Sequence, residues 1–334
     1  MSDDPVISTL LRSDEPSVRW RVRAELLDEP VDGGWMRSLR REIRDSERAR
    51  MIIAAAAGRH PYAKWRGAHW ALLSLAALGY PPGSEELLPL RDAVLDHWLS
   101  PRYLVDRDVS RVTPAVARAA VPRISGRSRR CGSQHGGALL AITWLGIDDG
   151  RGSTLAERLV TWQWPDGGWN CDPDPATAMS SVNETLLPMR GLHAFGAATG
   201  DAVAAASARA AAEVFLERRV AWRRRTTAEP IAPDVLKLHH PVYWHYDILA
   251  GLVGLAEVGL AADPRCHRAI DHLESLRRPD GRWSATARYW RVAAEGSNVE
   301  SMPWGIVSTR AANEWVTIDA LVALKAASAD GASL

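Results

Sequence analysis

The segment Gln163-Trp164-Pro165-Asp166-Gly167-Gly168-Trp169, running on into Asn170-Cys171-Asp172, decides the fold. Proline presets φ and glycine tolerates positive φ, so Pro-Asp-Gly-Gly forces a tight reversal. The apolar periodicity ahead of it, and again after residue 178, is that of helices. A helix–turn–helix joint is therefore predicted. The glutamine six positions ahead of the closing tryptophan can cap the first helix and stack on the indole, which would tie one helix pair to the next.

Arg277-Arg278-Pro279-Asp280-Gly281-Arg282-Trp283 keeps the glycine and tryptophan, with arginine in the glutamine position, and Glu29 through Gly33 to Trp35 is a fainter copy. Around these joints, amphipathic stretches alternate with stretches that are apolar on nearly every side. A helix apolar all round is buried all round. Residues 35–57 precede 67–79, 84–98 precede 132–146, 153–163 precede 180–199, 203–222 precede 242–259, and 264–277 precede 311–327. Each apolar stretch but the last stops at a glycine, as a left-handed C-terminal cap requires. The expectation is one all-α domain over 1–334. It is an α/α toroid of outer–inner hairpins spanning about 35–327, with a partial pair at 5–27 capped by Asp14 or Ser17.

The pattern Gln-x-x-x-Gly-x-Trp resembles the QW repeat of the terpene cyclase and protein prenyltransferase superfamily, whose fold is an α/α toroid. The resemblance implies a terpene-cyclase-like enzyme. Such an enzyme would bind a polyprenyl or prenyl diphosphate in an apolar centre and convert it by acid- or cation-based cyclisation or transfer. The Asp-x-Asp-Asp acid of the squalene–hopene type is absent; Asp106-Arg107-Asp108 and Asp172-Pro173-Asp174 are the nearest segments. Cys131-Gly132-Ser133-Gln134 is similar to the Cys-Gly-Glu-Gln thioester of complement-type toroids, with serine in place of glutamate.

Composition narrows the classes. The 41 basic residues balance 40 acidic ones, which argues against a general nucleic-acid binder. Met1-Ser2-Asp3-Asp4 opens without an apolar core segment and no apolar run is long enough to span a bilayer, so a cytoplasmic protein is expected. Three cysteines outside a secretory context point to free thiols or metal ligands. Fifteen tryptophans against two phenylalanines suit a repeated packing residue or a cavity for an apolar or cationic ligand.

In a ring of such hairpins the inner helices all start at one face, and their first residues converge on a common mouth. Those residues are Lys64, Arg66, His69 and Trp70; Cys131, Gln134 and His135; Ser181, Asn183 and Glu184; Tyr243, Trp244, His245, Tyr246 and Asp247; and Asn313, Glu314 and Trp315. They are polar and aromatic, whereas the later turns are Leu, Ala, Val and Gly, so a pocket is expected here. Asp247 or Glu184 would supply the proton, with Tyr243 and His245 completing the catalytic set. The aromatic faces of Trp70, Trp244, Tyr243 and Trp315 would hold cationic intermediates. His69, Arg66, Gln134, His135, Asn183, Tyr246 and Asn313 would line the substrate.

Two long connections, 99–130 and 284–310, read as lids over this mouth. They carry Arg127, Arg129 and Arg130, and Arg288 and Arg291, which with Lys64, Arg66 and Lys237 would welcome a diphosphate or carboxylate. No obligatory cofactor is expected. Cys131 and His135 lie four apart on one helix face, and Cys171 and His245 could complete a zinc site. The expected partner is a hydrophobic small molecule, anionic where the basic residues engage it, with peripheral membrane contact left open. Two other classes compete: a carbohydrate-active toroid using Tyr243 or Tyr246 with His240 or His245, and a non-catalytic binding module.

Overall fold

A computed structural model describes residues 4–224, 226 and 228–329. Met1–Asp3, the start of the acidic N-terminus, lies outside them, as do 225, 227 and 330–334 of the expected domain span. The chain's regular secondary structure is almost wholly helical. The first five helices are α1 (Pro5–Leu10), α2 (Pro16–Arg21), α3 (Gly34–Arg44), α4 (Glu47–Ala56) and α5 (Ala68–Leu78). There follow α6 (Leu88–Trp98), α7 (Pro101–Leu104), α8 (Pro114–Ala119), α9 (Gly132–Trp144) and α10 (Gly152–Trp162). The last are α11 (Val182–Thr199), α12 (Ala202–Leu216), α13 (Ile248–Glu257), α14 (His267–Ser275) and α15 (Glu314–Ala329).

Six of them close a ring: α2 packs on α5, α5 on α9, α9 on α11, α11 on α13, α13 on α15, and α15 on α2. The outer layer is α3 against α2, α4 and α6 against α5, α10 against α9 and α11, α12 against α11, and α14 against α13 and α15. This is the expected α/α toroid. The N-terminal segment is a full wall of it, because α2 completes the inner ring.

The Pro-Asp-Gly joint forms as expected, and it forms twice. Trp164 and Gly168 exchange a turn bond of 2.8 Å, and the Trp169 indole donates to the Leu159 carbonyl at the end of α10, 2.9 Å away. At the second copy Arg278 bonds Arg282 at 2.9 Å and the Trp283 indole donates to Leu273 of α14 at 2.8 Å. In both, a threonine on the following inner helix, Thr185 or Thr317, accepts from the tryptophan amide. Gln163 is the C-cap of α10, its backbone N–H donating to the Val160 carbonyl at 3.3 Å, while its side chain turns away from the helix. The side-chain amide donates to the Gly167 and Ser207 carbonyls at 2.6 and 2.9 Å and accepts from the Ser207 hydroxyl at 2.7 Å, which pins the turn to α12. Arg277 takes over one of these roles, donating to Gly281 at 3.2 Å with its guanidinium 4.9 Å over Trp283.

Local chemistry explains where elements depart from expectation. The single helix expected over 35–57 is two, because the Ser46 side chain accepts from Ala49 and starts α4 afresh. At the N-terminus neither Asp14 nor Ser17 caps α2; Glu15 does, accepting from the Ser17 amide ahead of Pro16. The inner helix expected over 242–259 starts only at Ile248, so Tyr243–Tyr246 lie in the loop before it. Residues 99–130 are structured: α7 and α8 flank a small sheet in which β1 (Asp106–Asp108) runs parallel to β2 (Val121–Ile124), itself antiparallel to β3 (Arg127–Ser128). Residues 284–310 hold a second pair, β4 (Arg291–Val292) parallel to β5 (Val299–Glu300).

Candidate functional site: the ring cavity

The inner-helix starts gather at one end, as the hairpin order predicts. Ser13, ahead of α2, donates to Glu314 of α15 at 3.0 Å. His240, on the approach to α13, stacks on Trp315 of α15 with centroids 5.1 Å apart. Trp65, ahead of α5, stacks on Tyr243 at 3.9 Å, and Ser133 of α9 donates to Glu184 of α11 at 2.8 Å. This end is a packed aromatic plug. His245 lies between Tyr289 and Trp244, 3.6 and 4.1 Å from their ring centroids, with Lys64 4.7 Å over Trp244.

Inside the ring lies a cavity of about 470 Å³, within the usual size of small-molecule sites. Every inner helix contributes to its wall: Trp20 and Arg21 from α2, Leu73 and Ser74 from α5, Trp144 from α9, Leu187 and Arg190 from α11, Ala250, Val253 and Glu257 from α13, Asp319 and Val322 from α15. His240, Tyr243 and Trp304 are its other aromatic walls on the plugged side, and all are buried. At the far side Trp144, the last residue of α9, is 40% exposed. The cavity therefore reaches solvent past the helix ends, and the helix starts close it.

The cavity wall carries charges in pairs. Arg21 donates twice to Glu25, at 2.9 and 2.7 Å, and once to Asp319 at 2.8 Å; His240 Nδ1 is 3.4 Å from the other Asp319 oxygen. Burial alone would raise the Asp319 carboxyl, but Arg21 and His240 outweigh it and hold it well below the usual carboxylate range. Arg190 makes a two-pronged pair with Glu257, both bonds 2.6 Å. Arg40 differs: it reaches the cavity from α3, lies 5.0 Å over Trp20, and makes no ion pair among the described residues. Its Nε is buried without a hydrogen-bond partner.

At the plugged side the Tyr243 hydroxyl donates to Glu300, a contact shorter than an ordinary hydrogen bond. Glu300 is 5% exposed, and burial raises its carboxyl above the ordinary value despite that bond. Tyr243 is thus a cavity-lining hydroxyl backed by a buried carboxyl.

The other residues named from sequence do not line this cavity. Asp247 is buried at the start of α13, accepting from the Ala250 amide at 2.7 Å and the His239 amide at 3.0 Å, with His239 Nδ1 2.7 Å away. Tyr246 donates to the Val220 carbonyl at 2.6 Å. Trp70 and His69 are buried in the aromatic cluster around Tyr62, where the Trp98 indole donates to His69 at 3.2 Å; burial lowers His69 to about 3. His245 is lowered to about 3 as well, by burial and by the charges of His239 and Lys64. Asn313 is the α15 cap, donating to Trp304 and Ile306 and accepting from Val316.

Arg66 donates to the Ala294 carbonyl at 3.1 Å, Arg291 to that of Ser297 at 3.3 Å, and Arg288 lies over Trp290. Gln134 accepts from Arg130, and Asn183 is half-buried on the first turn of α11. Of the proposed metal ligands, His135 is buried with Nε2 at 3.2 Å from the Trp98 carbonyl, and neither it nor His245 joins Cys131 and Cys171.

What sequence reasoning missed is the charged wall, Arg21, Glu25, Arg40, Arg190, Glu257 and Asp319. One signal was available: ionisable residues in helices otherwise apolar all round, such as Arg190 in α11 and Asp319 in α15, have to face a partner or a cavity.

Among solved structures the chain is similar to the type II terpene cyclase MstE from Scytonema. A variant in complex with geranylgeranyl dihydroxybenzoate is 16% identical, covering 96% of this chain and 95% of that one, with a TM-score of 0.43. A second variant with the same substrate is 15% identical over 97% and 98% of the two chains, TM-score 0.41, and the apo enzyme 15% over 94% and 88%, TM-score 0.39. No family model and no curated protein sequence matches. Among the described residues no helix is long and apolar enough to cross a membrane.

Proposed function

We propose that the chain is a terpene-cyclase-like enzyme that binds an isoprenoid in the ring cavity, with Arg40 receiving an anionic head group and Tyr243–Glu300 supplying a proton. The observation that carries this is the cavity itself: a blind, largely apolar chamber walled by indoles and aliphatic side chains, with its charged groups other than Arg40 tied up in pairs. A sugar would find too few free hydrogen-bond partners here, since Arg21, Glu25, Asp319, Arg190 and Glu257 already satisfy one another.

The walls are of a kind that holds positive charge. Guanidinium groups already lie over three of the cavity's indoles: Arg40 over Trp20 at 5.0 Å, Arg190 over Trp144 at 5.2 Å, and Arg48 over Trp304 at 4.8 Å. In the proposed step Glu300 is protonated, which reverses its hydrogen bond with Tyr243 and turns the hydroxyl proton to the cavity; Glu300 then gives its proton to the Tyr243 oxygen as the hydroxyl proton passes to an alkene carbon. The substrate becomes a carbocation and Glu300 a carboxylate. Loss of a proton from the cyclised cation, and reprotonation of Glu300, restore the start. Asp247 and Glu184, both occupied by backbone N–H groups, hold helix starts in this scheme.

The test is titration with geranylgeraniol and geranylgeranyl diphosphate, read by intrinsic tryptophan fluorescence and native mass spectrometry, with product analysis alongside. Saturable one-to-one binding is expected, weakened at least about tenfold by Val253→Trp, whose indole fills the chamber. Tyr243→Phe keeps binding and lowers turnover by about 10²-fold or more, the range of general acid catalysis. Binding without any turnover by the unaltered protein would leave the non-catalytic module; binding untouched by Val253→Trp would place the ligand elsewhere.

A further inference from the structure

Outside the cavity, three metal-binding side chains meet where the loop after the first joint reaches the starts of α9 and α11. Cys131 is the residue ahead of α9, Cys171 follows Trp169 by two positions, and Glu184 is in the first turn of α11. Both sulfurs and a Glu184 oxygen lie within 4.8 Å of one another. The Cys171 thiol points at Glu184 Oε1, 3.4 Å away. The second Glu184 oxygen is held by the Ser133 amide at 3.1 Å and the Ser133 hydroxyl at 2.8 Å. That leaves Oε1 directed at the sulfurs.

The joint is what brings them together. Ser181 donates to the Trp169 carbonyl at 2.9 Å, returning the chain to the same level, and Gly132 lets α9 approach: a Cβ there would stand 2.9 Å from the Trp169 side chain and 3.0 Å from the Glu184 carbonyl. Both cysteines are half-buried, and no disulfide joins them.

We propose that Cys131, Cys171 and Glu184 form a three-ligand site for a thiophilic divalent cation, Zn²⁺, with Ser133 as the group that orients the carboxylate. Two thiolates and a carboxylate are the donor set of such an ion, and three protein ligands leave a fourth position for water or a ligand atom. Zinc ligands at ~2.3 Å for sulfur and ~2.0–2.2 Å for oxygen stand about 3.5–3.8 Å apart in a tetrahedron, so closure requires side-chain shifts of about 1 Å. A bound dication deprotonates the sulfurs that coordinate it. The site is independent of the cavity chemistry and is tested without any activity measurement.

The metal-free, reduced protein is titrated with Co²⁺ and then with Zn²⁺, with metal content measured on protein purified without chelator. The expected result is one equivalent of metal per chain, with thiolate-to-cobalt absorption that Zn²⁺ abolishes. Cys131→Ser and Cys171→Ser should each reduce that absorption, whereas Cys266→Ser, remote and buried behind the Leu260 carbonyl, should not. Ser133→Ala should weaken Zn²⁺ about 10-fold while leaving the helix content unchanged, as loss of an outer-shell partner does. A cobalt spectrum free of thiolate bands in folded protein with three titratable thiols overturns the site. So does a spectrum identical in Cys171→Ser, or a Cys131–Cys171 disulfide that re-forms in preference to metal binding.

Discussion

Replacing Arg21 by methionine removes the cation at the centre of the charged cavity wall and keeps most of its apolar stem. Three charge-assisted hydrogen bonds are lost, two to Glu25 and one to Asp319, and two carboxylates are left without a counter-charge. Asp319 is 8% exposed, so its charge cannot be handed to solvent. Breaking a buried pair by removing one partner costs about 3–5 kcal/mol. At about 2.1 cal/mol/K per residue, unfolding a 334-residue chain has an entropy near 0.7 kcal/mol/K, so the loss corresponds to a Tm drop of about 4–7 °C.

The pH dependence distinguishes this from a simple packing defect. In the parent protein Asp319 has a depressed pKa, so its contribution is complete above the ordinary value near 3.9 and is lost as pH falls through the depressed one. In Arg21→Met the Asp319 pKa rises, and the carboxyl takes up a proton to escape its burial. The stability gap between the two proteins should therefore be widest at neutral pH and narrow below about pH 4. Urea denaturation at a series of pH values measures it. A gap that stays constant from pH 7 to pH 3, or no gap at pH 7, would refute the claim that this triad is buried and coupled.

Two further predictions concern the frame. Gly136→Ala should lower the urea midpoint by the equivalent of about 2–3 kcal/mol, because a Cβ there overlaps the Leu187–Pro188 backbone and separates α9 from α11; an unchanged midpoint would show that this helix contact is loose. Burial lowers His239, but Asp247 outweighs it and raises the imidazole, so that stabilisation is full below about 6.5 and lost as pH rises through the raised value. Asp247→Asn should flatten this stretch of the stability–pH profile, and an identical slope in both proteins above pH 6.5 would show that the pair is not coupled.

Residue order alone determined the hairpins. The turn chemistry of Pro165–Gly168 and Pro279–Gly281 and the all-round apolar helices are local properties, and they led to the ring because such helices have nowhere else to be buried. The gathering of helix starts at one end also followed, since hairpins of one order start their inner helices alike. Which end opens was a different matter. Aromatic residues at the starts such as Tyr243, Trp244 and His245 read as a pocket lining, but together with Trp65 and Tyr289 these large rings converge at the narrow end of the ring and fill it. The cavity was left toward the far half, where small side chains such as Ala76 and Ala77 leave room.

Pairings such as Arg21 with Asp319, 298 positions apart, and Cys171 with Glu184 rather than His245 depend on ring closure and on the path of the joint. No spacing in the chain encodes them. Tertiary structure decided these because a buried charge or thiol is placed by whichever partner the packed helices bring within reach, and that partner can come from anywhere in the sequence.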